Sequence, residues 1–352
     1  MTDLTLADGV AAILLLALTA YAVLAGADFG GGVWDLFASG PRRKAQRTAI
    51  AEAMGPVWEA NHVWLIFLLV GLFTAFPTVF AALSIALYLP FTIALLGIIL
   101  RGAAFTFQAH GEEAVGELAP WGFVFGGASI IAPAFLGAAL AAVATGSVRA
   151  SGGPDVTTGW VSWLAVDMAL LAIALAAYLA ATYLMVETED DAPLQTDFRR
   201  RAFGAAIVSG ILAVAGLVLA WRQSPLLWSN LTGRGLPLLI IALANGPIAA
   251  LAVWRGAPRI ARVAVAAQMV FVLWAWAVGQ WPALVPPDFT IHGSAAPETT
   301  LRALTITIAV GMVALAPSLW LLFHVFKGRN PAVTMPSLPS PSGGGSGSVP
   351  PR

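Results

Sequence analysis

The sequence predicts an all-α polytopic membrane protein, and three observations carry that reading. Hydrophobic residues make up 59% of the 352 positions and charged residues only 10%, with a mean hydropathy of +0.84. That is more apolar side chain than a soluble domain of this length can bury. Apolar stretches recur at about the 20-residue length that crosses a bilayer as a helix. Glycine (35) and proline (23) are frequent within them, as is tolerated where neighbouring helices satisfy the backbone groups those residues free.

Nine spans are expected, at about 9–36, 50–75, 78–100, 119–145, 160–185, 203–221, 235–254, 262–281 and 302–325. The first follows MTDLTLADG, which lacks a basic segment, and runs into Asp28 instead of a cleavage site. It therefore reads as a retained span, not a signal peptide. Residues 1–330 are expected to form one integral membrane domain, and the Pro/Gly/Ser-rich tail 331–352 a disordered cytoplasmic extension. Spans 1–4 and 6–9 could each form a four-helix bundle, although no residue-level repeat relates them.

Cytoplasmic loops retain Lys and Arg. Arg42, Arg43, Lys44, Arg47, Arg101, Arg199, Arg200, Arg201, Arg255, Arg259, Arg262, Lys327, Arg329 and Arg352 fall on one side of the predicted spans. Only Arg149, Arg222, Arg234 and Arg302 fall on the other. This places the N-terminus outside and the C-terminus inside, as an odd number of spans requires. The longest outer loop is WPALVPPDFTIHGSAAPETT. The absence of cysteine excludes disulfides, thiolate metal sites and iron–sulfur ligation by this chain, and zero formal charge suggests no nucleic-acid partner.

Chemistry concentrates in two stretches. GPVWEANHVWLIF, residues 55–67, sets Glu59, Asn61 and His62 between Trp58 and Trp64. Glu52, Glu59 and His62 are spaced by seven and three, so they share a helix face and form a ladder of ionisable groups leading into the membrane. Such groups are costly in lipid and mark proton or ion paths, and an imidazole passes protons near neutral pH. The plainer alternative is a neutral Glu59–His62 pair that locks two helices.

The second stretch is LAGADFGGGVWDLF, residues 24–37. Asp28 and Asp35 lie seven apart on one face, and Gly30, Gly31 and Gly32 permit close helix approach. Asp35 is expected at the interface beside the basic cluster; Asp28 is deeper and joins Glu52, Glu59 and His62 as a proton-pathway candidate. Neither a preceding strand nor a Lys-Ser/Thr supports a nucleotide loop. Asp167, a third intramembrane acid, reads as structural and is expected to pair with another helix.

Hydrophobic helices that carry His and Met are how membrane cytochromes hold haem iron. His110 and His292 are expected in loops and His324 at the inner surface, so no two histidines share a depth with His62; His62 with Met54 or Met269 is the remaining combination. No metal is assigned to this chain. Most of the 13 tryptophans read as interfacial anchors or packing.

The ordered motifs GADFGGGVWDLF, GPVWEANHVWLIF and LRGAAFTFQ, with the glycine-rich FGGASIIAPAFLG further on, resemble subunit II of the cytochrome bd-type terminal oxidases. The resemblance implies two four-helix bundles plus a peripheral helix in a prokaryotic cell membrane. It also implies pairing with a haem-bearing subunit I that carries two b-type haems and one d-type haem and reduces oxygen with electrons from quinol. A small single-span accessory subunit, lipid and quinone are further partners so implied, and subunit II itself would hold no haem. Asp28 matches the second acid of the family's Asp-Gly-Phe-Asp pattern. Glu59 replaces the acid of Trp-Asp-Gly-Asn, and Asn61, Val63, Trp64 and Arg101 match directly. Gly30, Gly32 and Trp58 belong to the same motifs in a structural role. The family's first acid is Ala25 here, a further acid near the arginine is Thr106, and His62 replaces an uncharged residue, so any proton route would differ from that of relatives. The alternative from a different class is a secondary transporter, with a broken span 1 and intramembrane acids that bind a coupling ion or substrate.

Overall fold

The computed structural model describes residues 5–111, 119–151, 157 and 159–327; the side chains of Pro56, Glu59 and residues 108–111, 119, 120, 316, 319 and 322–327 lie outside the described set. The helices are α1 (Leu6–Leu36), α2 (Arg43–Ala75), α3 (Pro77–Ala86), α4 (Tyr88–Gly111), α5 (Ala119–Ala144), α6 (Trp163–Glu187), α7 (Ala192–Gln223), α8 (Pro225–Thr232), α9 (Leu236–Trp254), α10 (Pro258–Gln280), α11 (Ile291–Ser294) and α12 (Glu298–Lys327). Among the described residues, eight helices are long and apolar enough to cross a membrane, and the bent α2 makes a ninth if its two halves count as one span. The chain divides into two compact units, 1–304 and 305–352, with α12 beginning in the first and continuing into the second.

Within the first unit, α1, α2, α4 and α5 pack as one group of four and α6, α7, α9 and α10 as another; the two meet through α1 and α5 against α6. Local chemistry sets several ends. Thr5 caps α1 through a reciprocal capping box, its backbone N–H donating to Asp8 Oδ2 at 3.0 Å. Ser162 and Asp191 cap α6 and α7 by accepting from Ala165 and Leu194 amides. The halves of α2, Arg43–Gly55 and Ala60–Ala75, meet at 45°. Pro56 has no amide hydrogen to donate to the Glu52 carbonyl, which accounts for a bend at that point.

Several elements differ from the sequence expectation. The third span is not 78–100: a short helix, α3, precedes a break at Leu87, and the long helix is α4. Pro90 explains the break, since it cannot donate to the Ala86 carbonyl and its ring would crowd that group in a continuous helix. Arg43, Lys44 and Arg47 lie inside α2, and Arg199, Arg200 and Arg201 inside α7, so these basic residues are carried by helices instead of loops. His110 falls in the last turn of α4 and His292 on α11. The long loop is partly ordered: β1 (Ala283–Val285) pairs antiparallel with β2 (Phe289–Thr290), and α11 follows. The tail 331–352 lies outside the described residues.

Gly30, Gly31 and Gly32 are where α1 is gripped. Successive residues rotate about 100° around a helix, so three in a row address three neighbours. A Cβ on Gly30 would sit 2.0 Å from the Ala176 carbonyl oxygen of α6, on Gly31 2.7 Å from Met54 Cγ of α2, and on Gly32 2.0 Å from Ser129 Oγ of α5. Small residues are used here for contact with three helices at one level.

Candidate functional site

That level of α1 carries Asp28, with the side chain 1% exposed. Arg101, 2% exposed and projecting from α4, grips it in a bidentate pair: Nη1 donates to Oδ2 at 2.6 Å and Nη2 to Oδ1 at 2.5 Å. Nη2 also reaches the Asp28 carbonyl at 3.0 Å, and Nε donates to Ser129 Oγ at 2.9 Å. Ser129 in turn donates to the Phe125 carbonyl one turn back on α5 at 2.7 Å. Asn61 of α2 donates through Nδ2 to Asp28 Oδ2 at 2.9 Å. Four helices thus close on one ion pair, and every guanidinium nitrogen has an acceptor. The guanidinium carbon also stands 4.8 Å from the Phe125 ring centroid and 5.5 Å from that of Phe29, a geometry that suits the delocalised charge of Arg and not the point charge of Lys.

The glycine run and this pair are connected. Ser129 occupies the volume that a side chain at Gly32 would take, so the absent Cβ lets Ser129 reach Arg101. A buried pair is tolerated when its remaining polar atoms are satisfied, and here they are.

Beside the pair lies a small cavity lined by Tyr21, Phe29, Asn61, His62, Leu65, Ile98 and Arg101. Its volume of about 10 Å³, counted as space for a water centre, is near the minimum for one water. The buried Tyr21 hydroxyl has no hydrogen-bond partner among the described residues. His62 Nδ1 lies 2.7 Å from the Trp58 carbonyl. A carbonyl only accepts, so neutral His62 carries its proton on Nδ1 and keeps a lone pair on Nε2. Trp58 packs edge-on against His62 with ring centroids 5.1 Å apart, and its ring stands 6.0 Å from that of Phe105. Trp64 is partly buried against the Tyr21, Ala25 and Phe29 cluster.

The structure therefore brings Asp28, Asn61, His62 and Arg101 together, with Gly30, Gly32, Trp58 and Trp64 around them. Glu52 is exposed and does not line the cavity. The Glu59 side chain lies outside the described set. Asp35 meets Arg47, Nε to Oδ1 at 3.4 Å. Asp167, expected to pair with another helix, has an Oδ2 without a hydrogen-bond partner among the described residues and faces Gly216 of α7. Sequence reasoning did not single out Ser129, Tyr21, Phe29 or Phe125. Ser129 left one signal, a hydroxyl inside an apolar glycine-rich stretch.

No group of three or more potential ligands gathers among the described residues. His62 faces a water-sized cavity and His292 is held between Thr5 and Asp8, each at 3.1 Å. Met54 packs against Gly31, and Met269 against Gly26. The side chains of His110 and His324 lie outside the described set.

Comparison with known proteins agrees with this arrangement. The family model for cytochrome bd terminal oxidase subunit II matches residues 6–326. A protein of Bacillus subtilis (strain 168) described as a cytochrome bd menaquinol oxidase subunit II is 24% identical over 322 residues, covering 87% of this chain and 91% of that one. The cytochrome bd-I ubiquinol oxidase subunit 2 of Escherichia coli (strain K12) is 30% identical over 123 residues, 35% of this chain and 31% of that one. A chain of the solved bd oxidase from Geobacillus thermodenitrificans superposes with a TM-score of 0.78 at 25% identity, over 92% of this chain and 99% of that chain. This chain belongs to the cytochrome bd terminal oxidase subunit II family.

Proposed function

We propose that this protein is the haem-free second subunit of a bd-type respiratory oxidase. It pairs with a haem-bearing subunit I that takes electrons from quinol and reduces oxygen to water. The two b-type haems and the d-type haem belong to that partner, in keeping with the environments of His62 and His292. We further assign the N-terminus to the outside and the C-terminus to the cytoplasm, from the distribution of basic residues. Residues 1–330 act as one membrane domain on this reading. Oxygen reduction would consume protons from the cytoplasm while quinol releases its own protons outside, which would make the complex electrogenic without pumping.

Two roles divide the site. Asp28 and Arg101 are the assembly element, since a pair with all its polar atoms engaged ties α1, α2, α4 and α5 into the surface offered to the partner. His62 is the proton-handling element. Its Nε2 is available beside a water-sized cavity, and it stands three residues from Glu59; Glu52, exposed and away from the cavity, is assigned as an entry group on the far side of the α2 bend. The observation that carries this reading is the family match over nearly the whole chain joined to a four-helix polar cluster at the family's own motif residues. The same match favours the oxidase over the transporter alternative.

The test is purification in mild detergent with an absorption spectrum and partner masses, followed by oxygen consumption. A haem-bearing partner should copurify, and His62→Gln or Glu59→Gln should slow turnover with the haem spectrum intact. A chain that purifies alone and haem-free from native membranes overturns the oxidase reading. Unchanged turnover in both variants removes the proton role and leaves the assembly role.

A further inference from the structure

The second group of four helices carries an unusual concentration of basic side chains at the end where α7 begins and α9 stops. Most are engaged. Arg42 pairs with Asp197, Arg259 with Glu189 and Arg262 with Glu187, and Arg201 donates to Phe37 O and Gln46 Oε1. Asp197, the acid closest ahead of this region on α7, is the partner of Arg42, and Asp191 caps the helix start. Arg199 and Arg200 have no carboxylate partner among the described residues.

The periodicity of α7 explains the segregation. Leu194, Phe198, Ala202 and Ala205 are buried; Asp197 and Arg201 turn towards the start of α2. Thr196, Arg199, Arg200 and Phe203, spaced three, four and seven apart, form a third face. Against that face stand Val253 and Trp254 of α9, leaving a groove of about 290 Å³ lined by these six residues. Arg199 is fixed there, Nε donating to the Val253 carbonyl at 2.9 Å and Nη2 to the Trp254 carbonyl, so it caps the C-terminus of α9. Its Nη1 has no hydrogen bond among the described residues, and neither does the exposed Arg200. Arg255, next in the chain to Trp254, is exposed as well.

The surface continues from the groove along the membrane-crossing length. Phe203, Ile207, Ile211 and Val214 form an exposed apolar stripe on α7, and Trp254, Leu251 and Ile248 another on α9. A Cβ at Gly204 or Gly210 would touch nothing, so open space lies beside the stripe. Cationic side chains at a helix end, an interfacial tryptophan and an apolar channel beyond match the two ends of one molecule: an anionic phosphate and its acyl chains.

We propose that this groove binds an anionic phospholipid, with the phosphate on Arg199 Nη1 and Arg200, the glycerol region against Thr196 and Trp254, and an acyl chain along Phe203, Ile207 and Ile211. The site is separate from the Asp28–Arg101 cluster and does not depend on the proposed proton role.

The test is native mass spectrometry of the complex purified from membranes, titrated with phosphatidylglycerol or phosphatidylcholine. Phosphatidylglycerol should bind on the order of tenfold more tightly, as two unpaired arginines would provide, and Arg200→Glu should abolish the preference. Arg149→Ala, at the opposite end and paired with Asp288, should leave it unchanged. If Arg200→Glu does not assemble, Trp254→Ala serves as the second variant and should weaken phosphatidylglycerol binding. Equal binding of the two lipids, a preference that survives in the groove variant, or an equal loss in Arg149→Ala overturns the proposal. Displacement by millimolar inorganic phosphate overturns the lipid assignment in favour of a soluble anion.

Discussion

Asp28 and Asp167 are both carboxylates inside long apolar helices, with relative exposures of 1% and 6%, yet their surroundings are opposite. Asp28 sits where α1 lacks side chains for three residues, so three helices come close and a fourth delivers an arginine. Asp167 faces Gly216 of α7, which brings no side-chain donor, and its Oδ2 has no hydrogen-bond partner among the described residues. A buried charge is stable when its neighbours supply opposite charge and hydrogen bonds; without them the group resides there as a neutral acid or as a cost. The first group of helices is organised around its acid, whereas the second is organised around alanine-rich packing that accommodates one.

The largest effect should come from breaking the satisfied pair. Arg101→Ala leaves Asp28 buried and uncompensated, which costs roughly 3–5 kcal/mol, and the yield of assembled complex should fall at least tenfold; a normal yield contradicts the contrast with Asp167. Replacing both partners by apolar residues, Asp28→Leu with Arg101→Met, sharpens it. Substantial recovery of yield assigns the pair to structure alone, while failure to recover means that the charges serve the partner interface.

Next is the glycine that makes the pair possible. Gly32→Ala forces Ser129 away from Arg101 and should cost about 1–3 kcal/mol, as overpacking does, read as a drop in the thermal midpoint of the complex. Gly204→Ala, with open space around it, should be neutral or slightly stabilising, since alanine is the better helix former. Equal shifts for the two would break the argument.

A smaller effect is expected at Asp167. Asp167→Asn should stay within about 1 kcal/mol of the parent or raise the midpoint, because no ion pair is lost; a larger drop would reveal a partner in the assembled complex. The smallest concerns Asp288, where the Ala150 amide and then Arg149 Nε, both at 2.9 Å from Oδ2, hold the carboxyl below the usual range. A depressed carboxylate contributes stability that is complete above its ordinary pKa and lost as pH falls through the lowered one. Amide exchange at Ala150 should therefore stay protected at neutral pH and open only in acid, and Asp288→Asn should remove that pH dependence.

The number of long apolar helices, their polarity pattern and the two motif stretches were legible because each is a local property. Twenty apolar residues in a row have few alternatives in a membrane. The break before α4 was less visible: Pro90 is in plain sight, but a proline inside a membrane helix more often bends than ends it. Glu52 shows the limit of face arguments, since spacing of seven aligns residues only along a straight helix, and α2 bends between Glu52 and His62. The hairpin at Ala283–Thr290 left only turn residues as a trace.

Sequence alone determined that this chain crosses a membrane many times, that its acids in those crossings need a reason, and which segments carry the family's pattern. Hydrophobicity and motif order do not depend on distant contacts. Tertiary structure decided that Asp28 meets Arg101 and Asn61 from two other helices while Ser129 of a third holds the arginine, that Asp167 has no donor on one oxygen among the described residues, and that Arg199 and Arg200 face a groove while Arg201 does not. Those outcomes depend on which helix faces which, and on the ångström-scale room left by a glycine, quantities that no single segment encodes.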